Sequence, residues 1–78
     1  SPAQCRGARA MLGWTQTDLA EQSYVSKRTI ARFELEERFL AERTALDLKR
    51  TFENHGITFL EADKNGPGLR FKSNRTFS

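Results

Sequence analysis

The sequence predicts a small, mainly α-helical domain that closes with a short C-terminal β-hairpin. Three observations carry this expectation. Helix starts are written at Ser1-Pro2, Thr15 and Ser26, each a capping residue ahead of an apolar pattern with helical spacing. Helix stops are written at Gly13 and Gly56. Beyond Gly56 the apolar residues change to near-alternation, with β-branched and aromatic side chains, which is the pattern of strands.

Ser1 as N-cap, Pro2 in the first helical position and Gln4 three residues after the cap predict helix 1, running to about residue 12. Cys5, Ala8, Met11 and Leu12 form its buried stripe, Arg6 and Arg9 its exposed side, and Gly13 its left-handed stop. Thr15 caps helix 2, which begins at Gln16 and runs to about residue 22. Asp18 bonds back to the cap and meets the positive helix end, while Trp14 staples onto Leu19. Ala20 is small where the next helix must come close.

Ser26 caps helix 3, which begins at Lys27, with Val25 stapling onto Ile30. Neither Gly nor Pro follows before Arg38, so its end falls between residues 33 and 38. Only three residues separate helices 2 and 3 as read here, which forces a steep crossing and a shared core, the helix-turn-helix arrangement. Phe39 and Leu40 belong to the following connection, and helix 4 spans about 42–55 with Ala45, Leu48 and Phe52 inward. His55 should cap its last carbonyls beside Gly56. Residues 57–61 form a strand, 62–68 a loop rich in Asp, Asn, Gly and Pro, and 69–72 a second strand. An isolated hairpin is marginal in water, so it must pack on the helices, pair with a second subunit, or both.

Composition bounds what the chain can do. Seventy-eight residues allow one domain and one small core, where stability is thin and a deep catalytic cleft hard to fit. Net charge is +3, from 13 Lys and Arg against 10 Asp and Glu, which is mildly basic and too weak alone to name a nucleic-acid partner. Six Phe, one Trp and 37% hydrophobic residues suffice for an ordered domain. The single Cys5 excludes an internal disulfide and a cysteine zinc site, in keeping with a reducing compartment. No apolar run approaches the roughly 20 residues of a membrane span, so a soluble, intracellular protein is expected. His55 lacks the partners of a metal site, and Gly66-Pro67-Gly68 is a turn with no helix start after it. No Ser/His/Asp grouping, phosphate loop or carboxylate pair points to catalysis, so neither an enzyme nor a cofactor is expected.

Helix 3 concentrates the chemistry. Lys27, Arg28, Thr29 and Arg32 fall on or near one face, while Ile30 and Phe33 point the other way. Arg and Lys at the start of such a helix can pair with the O6 and N7 acceptors of guanine, and Thr with a thymine methyl or a phosphate. Lys27, Arg28 and Arg32 are therefore candidate base contacts; Ser26 and Gln16, at helix starts, are candidates for phosphate as well as for simple capping. Three basic residues on any helix are commonly a solvated face, and it is the frame of two capped helices that turns the balance. Arg38 and Arg43 could clamp the DNA backbone, but Glu36, Glu37 and Glu42 beside them favour surface ion pairs.

Thr15-Gln16-x-x-Leu19-Ala20, Val25-Ser26-x-x-x-Ile30 and Phe33-Glu34, at these spacings, resemble the Cro/C1-type (XRE family) helix-turn-helix of phage and bacterial transcriptional regulators. The likeness reaches into helix 1 through Arg9-Ala10-x-x-Gly13-Trp14 and covers most of residues 4–56. Gly56-Ile57-x-Phe59 with Gly66-Pro67-Gly68-Leu69-Arg70 is similar to a bacterial subgroup of small regulators of this kind. The resemblance implies a lambda-repressor-like bundle of four or five helices that binds operator DNA as a homodimer. It places Gln16 and Ser26 at the family's phosphate contacts, Lys27, Arg28 and Arg32 at its base-reading positions, and Thr29 where the family touches backbone or base. Two positions depart from it: Tyr24 stands where the turn usually has a left-handed Gly, and Glu36 where a Gly commonly ends the recognition helix.

The expectation is therefore a helix-turn-helix domain over residues 1–56, a hairpin over 57–72 and a flexible tail over 73–78. Its function would be sequence-specific binding of double-stranded DNA by a cytoplasmic, nucleoid-associated regulator, bacterial or phage-encoded, acting as a homodimer on an inverted repeat. Ile57, Phe59, Leu69 and Phe71 supply the hairpin's apolar surface, for dimerisation or for packing over helices 1 and 4 with equal weight. The alternative is a protein-interaction module, such as an antitoxin or a subunit of a larger regulatory complex. The basic face of helix 3 argues against it, since docking faces usually carry aromatic or aliphatic anchors.

Overall fold

A computed structural model describes residues 1–60 and 68–71. The chain order is α1 (Pro2–Leu12), α2 (Gln16–Ser23), α3 (Lys27–Glu34), α4 (Glu42–Asn54), β1 (Ile57–Leu60) and β2 (Gly68–Phe71). The loop expected over 62–68 lies outside the described residues except for Gly68, as do Lys72 and the tail at 73–78.

The caps act as the sequence implies. The Ser1 and Thr15 side chains accept from the backbone N–H groups of Gln4 and Asp18, whose own side chains accept in return from the cap backbones. After α1, Gly13 adopts a left-handed φ of 70° and the Trp14 N–H reaches back to the Arg9 carbonyl. Tyr24 and Glu36 take up the same conformation, with φ of 64° and 62°. Both departures from the family pattern thus keep the geometry of the glycine they replace. At the end of α3 the Glu36 and Glu37 N–H groups bond to the Phe33 and Arg32 carbonyls, the paired bonds that satisfy a helix end through a left-handed residue.

The core is built from Cys5 and Ala8 of α1, Leu19 of α2, Val25, Ile30 of α3, Leu48 and Phe52 of α4, and Ile57 of β1. Ala45, expected in the α4 stripe, is exposed; Thr51, one turn after Asp47, is buried instead and donates to the Asp47 carbonyl at 2.8 Å. Trp14 leans towards α4, stacking on Phe52 and meeting the His55 ring edge-on at 4.7 Å between centroids. The His55 ring nitrogen Nδ1 lies 2.8 Å from the Thr51 carbonyl, closing the helix end as expected.

β1 and β2 pair antiparallel, Ile57 opposite Phe71 and Leu60 opposite Gly68. The hairpin belongs to the same core as the helices. Ile57 is fully buried, Phe59 meets Phe52 edge-to-face, and Leu69 packs on the core. Leu69 lies so close over α1 that a Cβ on Gly7 would come within 2.8 Å of it. The Gln4 amide donates to the Leu60 and Gly68 carbonyls, tying the first helix to the mouth of the hairpin. Of the two readings open for the hairpin's apolar surface, Ile57 takes packing within its own subunit, as a core residue, and Phe59 and Leu69 pack against the same core; the side chain of Phe71 lies outside the described part. The physical reason is that four helices this short leave one side of Phe52 uncovered, and the hairpin supplies the cover.

Candidate nucleic-acid interface

The helix pair α2–α3 is fixed at its turn by a residue whose role was not evident from sequence. Ser23 is buried; its hydroxyl donates to the Leu19 carbonyl at 2.7 Å and accepts from the Val25 N–H at 3.2 Å. The turn's backbone is thus satisfied inside the protein while the Tyr24 side chain stands 95% exposed. The Ser26 hydroxyl then accepts from the Thr29 N–H at 3.1 Å and donates to the Thr29 hydroxyl at 2.9 Å, starting α3.

Successive residues of a helix are rotated by roughly 100°, which sorts α3 cleanly. Ile30 and Glu34 are buried and Phe33 half-buried, so they mark its inner side. Arg28 and Arg32 point the opposite way, Arg28 exposed and Arg32 half-buried, with Lys27 exposed on one flank and the half-buried Thr29 on the other. None of the three cations makes an ion pair or side-chain hydrogen bond among the described residues. Arg38 and Arg43 are exposed in and after the α3–α4 connection. Arg43 has a loose pairing with Asp47 at 3.8 Å, whereas Arg38 makes no ion pair among the described residues. The expected pairing of both with the neighbouring glutamates is not what the side chains do.

Behind this face lies a buried polar cluster. Glu34 is 4% exposed at the inner end of α3, and its carboxylate accepts two bonds from the Arg9 guanidinium, at 2.7 and 2.8 Å. It accepts a third from the Gln16 amide at 3.0 Å and a fourth from the Cys5 thiol at 3.1 Å. Arg9 also donates to the Trp14 carbonyl, and Arg6 to the Glu34 backbone carbonyl. Arg9 is accordingly corrected from the exposed side of α1 to a half-buried ion pair. One carboxylate joins α1, the start of α2 and the end of α3. Burial alone would raise its pKa, but the bonds from Arg9, Gln16 and Cys5 and the Arg9 charge outweigh burial and hold it below the ordinary value. The same contact works on Cys5: burial first, then its bond to Glu34, pushes the thiol up to about 12.

This arrangement decides Gln16. It is the first residue of α2, and its half-buried side chain is anchored on Glu34. A signal for the cluster was present in the sequence. Glu34 follows Ile30 by four residues and so falls on the buried stripe, where a carboxylate requires a partner.

The helix-turn-helix family model matches residues 6–51, from the middle of α1 to near the end of α4. The chain belongs to the helix-turn-helix family of Cro/C1 type. Its four helices and antiparallel hairpin are consistent with that membership, and the match marks it as a DNA-binding helix-turn-helix domain from a regulatory rather than an enzymatic family. No curated protein matches the sequence. No helix among the described residues is long and apolar enough to cross a membrane. The helix-turn-helix is the part of the chain that packs its inner face on Ile30 and Glu34 and leaves the three cations of α3 outward.

Proposed function

We propose that the protein regulates transcription by reading a specific double-stranded DNA site with α3 in the major groove, as a homodimer on an inverted repeat. The observation that carries this is the division of α3: one side is sealed over Ile30 and Glu34, and the other presents Lys27, Arg28 and Arg32 with no partner among the described residues. Lys27, Arg28 and Arg32 contact bases; Ser26, Thr29 and the start of α2 at Gln16 meet phosphates, with Arg38 and Arg43 reaching the backbone beyond the recognition helix. Gln16, held by Glu34, meets the phosphate chiefly through the positive end of α2. Two such helices enter successive major grooves about 34 Å apart. The work is done in the cytoplasm, on the nucleoid.

Selection of bound sites from a random duplex library tests binding, symmetry and half-site spacing together. On the selected site, Arg28→Ala should cost roughly 1–3 kcal/mol and relax preference at one base pair. An equal loss on cognate and random DNA would make Arg28 a phosphate contact. Affinity should fall steeply with salt as phosphate-bound counterions are released. No binding to any duplex at low salt would favour the protein-docking alternative.

A further inference from the structure

We propose that the homodimer is held by the α3–α4 connection of each subunit, with Phe39 of one copy seated in the groove beside α4 of the other. The inference rests on the homodimer proposed above and gives it a surface, since Ile57 is enclosed in its own subunit and the hairpin's inner side with it. Two features of one surface fit each other.

The first is a hole. An apolar groove of about 540 Å³ lies between α1, α3, α4 and β1, walled by Phe33, Leu40, Leu48, Phe52 and Phe59. The second is a knob. Phe39, next to the groove residue Leu40, is 96% exposed, and Leu35 in the same connection is 69% exposed. A phenyl ring held in water beside an apolar hole it does not enter is an unmet hydrophobic contact. Knob and hole are neighbours on one edge, so a two-fold axis between two copies lets each Phe39 enter the other's groove, the reciprocal contact that an isologous interface requires.

Charge supports a second copy as the occupant. Glu36 and Glu37 precede the knob, and with Arg38 they leave it net negative. Lys49 is the charged side chain that lines the groove, and Arg50 follows it on α4. Leu46, itself 41% exposed, stands three and four residues before them on α4, so the basic pair and an apolar residue share one side of the helix. All four charged residues are exposed and unpaired among the described residues. Docking Phe39 across the two-fold brings the acidic pair of one copy to the basic pair of the other, twice. The connection directly follows α3, so the same contact fixes the spacing of the two recognition helices.

Sedimentation velocity over a range of concentrations, without DNA, tests this surface separately from DNA reading. The wild-type protein should pass from monomer to dimer. Phe39→Asp should stay monomeric at concentrations where wild type is dimeric, and should melt with wild type when both are diluted to monomer, because the ring is 96% exposed in its own fold. Glu37→Lys should weaken the dimer at least tenfold, and adding Lys49→Glu in the same chain should restore it. On DNA, Phe39→Asp should keep wild-type affinity for a single half-site and lose cooperativity on the inverted repeat. The proposal is overturned if wild type remains monomeric throughout, including the case where the groove instead takes up a small apolar dye. It is equally overturned if Phe39→Asp dimerises as well as wild type, if the charge exchange fails to rescue, or if Phe39→Asp weakens half-site binding while dimerisation is unchanged. Failure of the wild-type dimer to bind any duplex would count against the DNA reading and leave the interface standing.

Discussion

Replacing Glu34 with Gln should destabilise the domain by about 3 kcal/mol, because it breaks a buried ion pair and leaves Arg9 without its counter-charge. Removing one partner of such a pair typically costs roughly 3–5 kcal/mol. The lower figure applies here, since the Arg9 side chain is 19% exposed and keeps some water, while Glu34 has 3%. Domains of this size are stable by roughly 4–12 kcal/mol, scaling about 0.05–0.15 kcal/mol per residue, so the loss is a large fraction of the total. Urea unfolding followed by circular dichroism at neutral pH measures it, and the cycle with Arg9→Met isolates the pair. The double variant should be less damaged than the sum of its singles, because it leaves no uncompensated charge. The pH dependence has a definite sign. The folded carboxyl is held below the ordinary 4.5, so the unfolded chain takes up the proton first. Stability from this group is fully present above about pH 4.5 and drains away as pH falls through the lower native value; Glu34→Gln should abolish that part of the acid sensitivity. A loss under about 1 kcal/mol, with additive singles, would refute the view that this carboxylate fastens three helices.

Other consequences can be measured in the same way. Tyr24→Gly and Glu36→Gly should each raise stability by roughly 0.5–1 kcal/mol in urea, since a left-handed residue with a Cβ is strained and both side chains are exposed; a fall in the midpoint would show that one of them makes a contact worth more than the strain. Cys5 should resist Ellman's reagent in the folded protein at pH 8, where a thiol pushed up to about 12 is not ionised, and react fully in urea; rapid native labelling would contradict its burial against Glu34. Ile30→Ala removes a fully buried side chain under the recognition helix and should cost roughly 2–5 kcal/mol in the same denaturation assay, with less than 1 kcal/mol showing that α3 packs loosely.

Local chemistry was legible in the sequence wherever a residue acts on its own backbone neighbours. Thr15 with Asp18, Ser26 before Thr29, and Gly13 after Leu12 fix helix ends through contacts three or four residues apart, so reading them needs no knowledge of the rest of the chain. The cations of α3 were legible for the same reason, because Ile30 assigns the inner side and Arg28 must then point out.

What depended on distant parts of the chain was not legible. Arg9 alternates with the core residues of α1 and looks solvent-facing, until Glu34, twenty-five residues on, is brought against it. Ala45 has core spacing on α4, but a helix shows its neighbours only part of an apolar stripe, and the groove leaves that part open. Ile57 and Phe59 could have faced a partner or their own helices equally well by pattern, and the uncovered side of Phe52 settled it. Where each helix begins and which of its faces is apolar can be read from the order of residues, since both are set by short-range bonds and by period. Which apolar face meets which, and that Glu34 is an anchored charge rather than a surface one, emerge from the folded arrangement, because burial is a property of what the whole chain stacks on top of a residue.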